Sequence, residues 1–73
     1  MMPTEEIVAK VGDLIFKRRT DLGMTQKQLA EAINYHHVGI SRIENGTTVP
    51  RFDTLVDLCK ALGLEIEIRE KGA

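Results

Sequence analysis

At 73 residues, with 42% apolar and 29% charged side chains, the chain reads as one small folded domain rather than a disordered polyelectrolyte, and no apolar run approaches the ~20 residues of a membrane-spanning helix. Its single cysteine excludes an internal disulfide and suits a reducing cytoplasm, and the start Met1-Met2-Pro3-Thr4-Glu5-Glu6 lacks the apolar run of a signal peptide. A net charge of −1 excludes nucleic-acid binding by bulk positive charge, so any such function must rest on how charge is distributed.

The first predicted helix runs from about Thr4 to Leu22. Thr4 is placed to cap it, Glu5 and Glu6 suit the positive end of its dipole, and Gly23 stops it. Ile7, Val11, Leu14, Ile15 and Leu22 supply an apolar face at helical spacing. Lys17-Arg18-Arg19 complement the helix C-terminus, and beside the helices that follow they also read as part of a basic patch with Lys27, Arg42 and Arg51.

A second helix starts at Thr25, which stands three residues before Gln28 as a capping box requires. Leu29, Ala30 and Ile33 fall on one side, and Ala30 is small enough for another helix to cross closely. Asn34 ends this helix, because Asn tolerates the left-handed backbone better than any residue except Gly. Tyr35 is expected to turn inward. A third helix then begins at about His36 and closes on Asn45-Gly46.

In this third helix the faces separate. Ile40 and Ile43 share the core side, while His37, Val38, Ser41 and Arg42 lie roughly opposite at i,i+3 and i,i+4 spacing. A solvated face normally collects Lys and Glu. Imidazole, a methyl-bearing side chain, a hydroxyl and a guanidinium instead match the edges of base pairs: Arg pairs bidentately with guanine, and Val packs on a thymine methyl.

After Thr47-Thr48-Val49-Pro50 a fourth helix is expected over about Arg51 to Leu62, with Phe52, Leu55, Leu58, Cys59 and Leu62 on its apolar side and Gly63 at its end. Free amides at its start, beside Arg51, suit a phosphate. The period then changes. Leu64-Glu65-Ile66-Glu67-Ile68-Arg69-Glu70 alternates as a strand does, and no other segment reads as its partner. A lone strand leaves backbone groups unpaired, so pairing with the same strand of a second copy is expected, through Leu64, Ile66 and Ile68. The expected architecture is all-α: a four-helix helix-turn-helix domain over residues 1–63, with a C-terminal strand and tail over 64–73 that joins a dimer.

Gly23-Met24-Thr25-Gln26, Leu29-Ala30, Ile40-Ser41-Arg42-Ile43-Glu44-Asn45-Gly46, Pro50 and Asp53-Thr54-Leu55 together resemble the Cro-like, Xre-type helix-turn-helix repressors of phages and bacteria. The resemblance implies an operator-binding homodimer on double-stranded DNA. In it Gln26 grips a phosphate, His37, Val38 and Arg42 reach base edges, and Arg19 pairs with Glu44. Four departures are visible: Asn34 stands for the usual turn Gly, His36 for a capping Ser or Thr, Gly39 lies inside the third helix, where it costs ~1 kcal/mol against Ala, and Arg51 stands for a small residue after Pro50. The four helices followed by Leu62-Gly63-Leu64 and an alternating segment are also similar to HipB-like antitoxins, which implies a toxin protein as a further partner.

Competing readings are weaker. His36-His37 do not form a metal pair, since adjacent helical residues point ~100° apart and no Cys or carboxylate stands at a zinc spacing. Their expected task is contact with the DNA backbone or bases. Cys59 and Met24 read as core residues. Glu44 has no second catalytic group or phosphate loop beside it, so neither an enzyme nor a cofactor is expected. The DNA contacts expected are therefore Gln26, Lys27, His36, His37, Val38, Ser41, Arg42 and Arg51. The alternative is a protein-interaction module that uses the helix pair only as scaffold, consistent with the low net charge and the Ile66 and Ile68 tail.

Overall fold

The computed structural model describes residues 2–72 and contains four helices: α1 (Thr4–Asp21), α2 (Gln26–Ala32), α3 (His37–Glu44) and α4 (Phe52–Leu62). Each ends in the same way. A left-handed residue follows (Gly23, Asn34, Gly46 and Gly63), and the next amide donates to the carbonyl five residues back, as in Met24 to Arg19, Tyr35 to Ala30, Thr47 to Arg42 and Leu64 to Cys59. Asn34, at φ 55°, takes the place that Gly holds at the other three ends. These stops let four helices share one core without long loops.

The core is a cluster of Ile15, Leu29, Ala30, Ile40, Ile43, Leu58 and Leu62, with Val11, Met24, Ile33, Tyr35, Leu55, Ala61 and Leu64 packed around it. Burying each large aliphatic side chain contributes about 1.5–3 kcal/mol. All four helices supply residues to it, so none is an appendage. The capping box on α2 is complete: the Gln28 amide donates to the Thr25 hydroxyl at 3.0 Å, and the Thr25 amide donates to the Gln28 side chain at 2.9 Å.

Helix α1 differs from its sequence reading. Pro3, not Thr4, occupies the cap, and its carbonyl accepts from the Glu6 and Ile7 amides at 3.1 and 3.2 Å. Ile7, Leu14 and Leu22 are about half exposed, because the helix turns a face centred on Gly12, Ile15 and Arg19 to the core. Gly12 is the reason α1 can lie against α3. A Cβ there would collide with the Ile43 carbonyl oxygen and stand 3.0 Å from that of Glu44, so the two backbones approach with no side chain between them.

The predicted C-terminal strand is not formed. Among the described residues no segment lies beside 64–70 to complete a ladder, and the Leu64 amide turns back onto the Cys59 carbonyl at 2.8 Å. A single chain offers alternation but no partner, so the pattern alone does not make a strand. Of the expected pairing residues, Leu64 is half-buried against the core, while Ile66 and Ile68 are exposed. Phe52, expected in the core, is 62% exposed. Among the described residues, no helix is long and apolar enough to cross a membrane.

Candidate nucleic-acid interface

Ile40 and Ile43 are fully buried and fix the rotation of α3 about its axis. Helical geometry then sends His37, Val38 and Arg42 outward, and all three are exposed, while Ser41 is half-buried at the margin. Val38 keeps 45% of its surface open, so it adds little to the core and is available to an apolar base edge. His36 precedes the helix in an extended conformation, exposed and without a side-chain cap bond. At the other end the Thr47 hydroxyl donates to the Arg42 carbonyl at 3.2 Å and closes the last turn.

Glu44 ties this helix to the rest of the domain. Its carboxylate accepts from Arg19 Nε at 2.6 Å and Nη2 at 3.0 Å, and from Gln26 Nε2 at 3.0 Å. A further Arg19 N–H donates to the Met24 carbonyl at 2.8 Å, and the guanidinium lies 5.4 Å from the centre of the Phe16 ring. Arg19 and Glu44 side chains are 9% and 3% exposed, so the ion pair is almost dry. Hydrogen bonding by Glu44 raises the Arg19 pKa above its ordinary value, against the opposing effect of burial, and the guanidinium stays charged. One node thus joins α1, α2 and α3. Gln26, expected at a phosphate, has one amide N–H engaged by Glu44, which fixes the side chain and leaves its other N–H uncommitted among the described residues.

The basic residues divide between folding and surface. Arg18 donates to the Leu62 carbonyl at 2.7 Å and caps α4, and Lys17 pairs with Asp13 at 3.2 Å. The run Lys17-Arg18-Arg19 is therefore engaged within the chain and does not form the patch read from the sequence. Arg51 is exposed but pairs with Asp53 at 3.3 Å, and Asp53 also accepts from the Thr54 amide at 2.9 Å. That carboxylate sits at the α4 N-terminus where a phosphate was expected, and it repels one. Lys27 and Arg42 are exposed, and the described residues give neither an ion-pair partner. Among the described residues no three His, Cys, Asp or Glu side chains converge as a metal set.

Sequence reasoning missed Gly12, the two rings that pack over Gly39 and the bond from Gln26 to Glu44. The two glycines stand inside helical patterns, where a Gly that weakens the helix signals close approach. Gln26 carried no such sign, because its contact crosses between helices.

The sequence is similar to those of known proteins. Residues 15–68 match the helix-turn-helix family model. The chain is 42% identical over 62 residues to Multiprotein-bridging factor 1 of Eremothecium gossypii, an overlap of 85% of this chain and 40% of that protein. It is 39% identical over 61 residues to an uncharacterized HTH-type transcriptional regulator of Haemophilus influenzae, covering 84% of this chain and 61% of the relative. Against human Endothelial differentiation-related factor 1 the identity is 31% over 68 residues, covering 93% of this chain and 46% of that protein. The chain thus spans less than two thirds of each of these relatives. The match runs through the helix pair, its buried node and the helix that closes the core, and on that ground the chain belongs to the helix-turn-helix family.

Proposed function

We propose that the chain is a sequence-specific DNA-binding regulator of transcription, acting as a repressor that lays α3 in the major groove. The observation that carries this is the exposed face of His37, Val38 and Arg42, chemically suited to base edges and held by Ile40, Ile43 and Glu44 beneath it. Arg42, Val38, His37 and Ser41 read bases. Lys27 and Gln26 hold the backbone, the exposed His36 meets backbone or base at the start of α3, and Arg51 joins them only by leaving Asp53. No catalysis is assigned to the chain.

Operator binding as a homodimer places two α3 helices about 34 Å apart on one side of the duplex. Support for a second copy comes from the alternating tail and from the open apolar surface of Phe52, Val56, Ile66 and Ile68. The antitoxin form of this reading adds a toxin protein bound by the same regulator. Selection of bound sites from a random duplex pool tests the main reading directly. An enriched inverted repeat supports the dimer, a single half-site supports a monomer, and no enrichment refutes specific reading. Arg42→Ala is expected to lose about 1–3 kcal/mol at the selected site with folding intact.

A second reading has its own support. The apolar surface formed by Leu14, Phe52, Val56, Ile66 and Ile68 lies on α1, α4 and the tail and includes no residue of α2 or α3. With relatives that include a multiprotein-bridging factor, it suits a module that contacts protein through that surface. Titration against duplex at several salt concentrations separates the two, because only DNA binding loses affinity steeply as salt rises.

A further inference from the structure

Gly39 is buried in the first turn of α3, although His37 and Val38 beside it face solvent. Two rings occupy the space its missing side chain leaves. A Cβ on Gly39 would collide with Tyr35 Cε2 and stand 2.8 and 2.9 Å from Nε2 and Cε1 of His36. The rings also pack on each other, with centroids 4.5 Å apart and planes inclined by 34°.

The two rings are held differently. Tyr35 is anchored, its amide donating to the Ala30 carbonyl at 2.8 Å and its side chain packing against the core cluster. His36 makes no side-chain hydrogen bond to the helix it caps. Its imidazole rests on the Tyr35 ring and against the bare backbone of Gly39. A histidine at a cap with neither hydrogen bond nor burial would ordinarily sample several rotamers.

We infer that Gly39 and Tyr35 are positioning residues: together they hold the His36 imidazole at the entrance of the recognition helix as a contact to an acceptor atom of the duplex. This rests on the DNA-binding reading. Gly39 is then a seat for two rings, and its low helix propensity is incidental. A phosphate oxygen and a base acceptor offer the same chemistry to the imidazole N–H, and the two differ in sequence preference.

The test uses the full chain and the duplex that the wild-type protein enriches from a random pool. Gly39→Ala in an unobstructed helix raises Tm by a few degrees, the ordinary propensity gain. The seat predicts instead an unchanged or lower Tm, His36 ring resonances displaced from those of the wild type, and duplex affinity reduced about two- to tenfold. His36→Ala is expected to show the same loss, and the His36→Ala/Gly39→Ala double variant no further loss. Tyr35→Val/Gly39→Ala removes the tightest contact at the cost of some core packing, and measured where it is fully folded its affinity stays at the His36→Ala level because the platform is gone. Affinity at the wild-type level in that folded variant reduces Gly39 to a packing residue and overturns the proposal. A loss in His36→Ala shared equally by all duplex sequences assigns the acceptor to phosphate, and a changed preference at one base pair assigns it to a base. A wild-type chain that enriches no duplex refutes the DNA reading and the contact with it. Failure of the seat is told apart without DNA, as a higher Tm and unmoved His36 resonances in Gly39→Ala.

Discussion

Replacing Glu44 by Ala is expected to remove between about a quarter and all of the chain's stability. The carboxylate accepts two hydrogen bonds from Arg19 and one from Gln26, and its side chain is 3% exposed. Without it the Arg19 guanidinium, 9% exposed, keeps its charge in a nearly dry site with the Met24 carbonyl as its one remaining hydrogen-bond partner among the described residues, beside the Phe16 ring. Stranding one member of a buried pair costs about 3–5 kcal/mol. A domain of this length has roughly 4–11 kcal/mol in total. At ~4–8 °C per kcal/mol, Tm should fall by at least ~12 °C. Urea titration followed by circular dichroism measures the loss, since the chain contains no tryptophan. The companion variant is Arg19→Met/Glu44→Leu, which replaces both charges by apolar groups and should recover most of the loss. A cost below ~1 kcal/mol for Glu44→Ala, or a double variant as unstable as the sum of its singles, would refute the buried-node argument.

Gly12→Ala is expected to destabilise by about 1–3 kcal/mol despite the better helix propensity of Ala, because the added methyl meets the Ile43 carbonyl; a rise in Tm would contradict the close crossing. At Asn34, with φ 55°, Ala should cost about 1 kcal/mol and Gly should be neutral or better, as denaturant midpoints will show. Burial raises the Cys59 thiol above its ordinary pKa. Its folded form therefore holds a proton that the unfolded chain releases first: stability is undiminished below the usual thiol range and declines as pH rises through it. Cys59→Ala should flatten that decline between pH 8 and 10 in urea titrations. Lys27→Ala should weaken all duplex sequences alike and lower the salt slope by about one unit, and a loss confined to the selected site would give Lys27 a base-reading role.

The helix pair was legible because its signals are local. Thr25 with Gln28, Asn34 at a left-handed turn, and the spacing of Ile40 and Ile43 each fix structure within a few residues. Within the basic run, the Arg19 contact with Glu44 is the pair that the family resemblance implies, whereas the reach of Arg18 to α4 is decided across the fold and leaves no local sign. Charge alone does not say which cation an internal acceptor will take. Ile7, Leu14 and Leu22 also carry the right spacing for a core face, yet Gly12 decides which side of α1 can approach α3. The tail shows the complementary case, where alternation is real but pairing needs a second strand.

Because Ile40 and Ile43 anchor α3 from below, the outward positions His37, Val38 and Arg42 contribute little to folding. If they read bases as proposed, substitutions there change recognition while the domain's stability hardly moves. Such a chain can drift toward new targets through single, viable steps. His36 is the exception at this helix: through Tyr35 and Gly39 its identity is coupled to the interior, so the flanking contact should diversify more slowly than the three positions beside it.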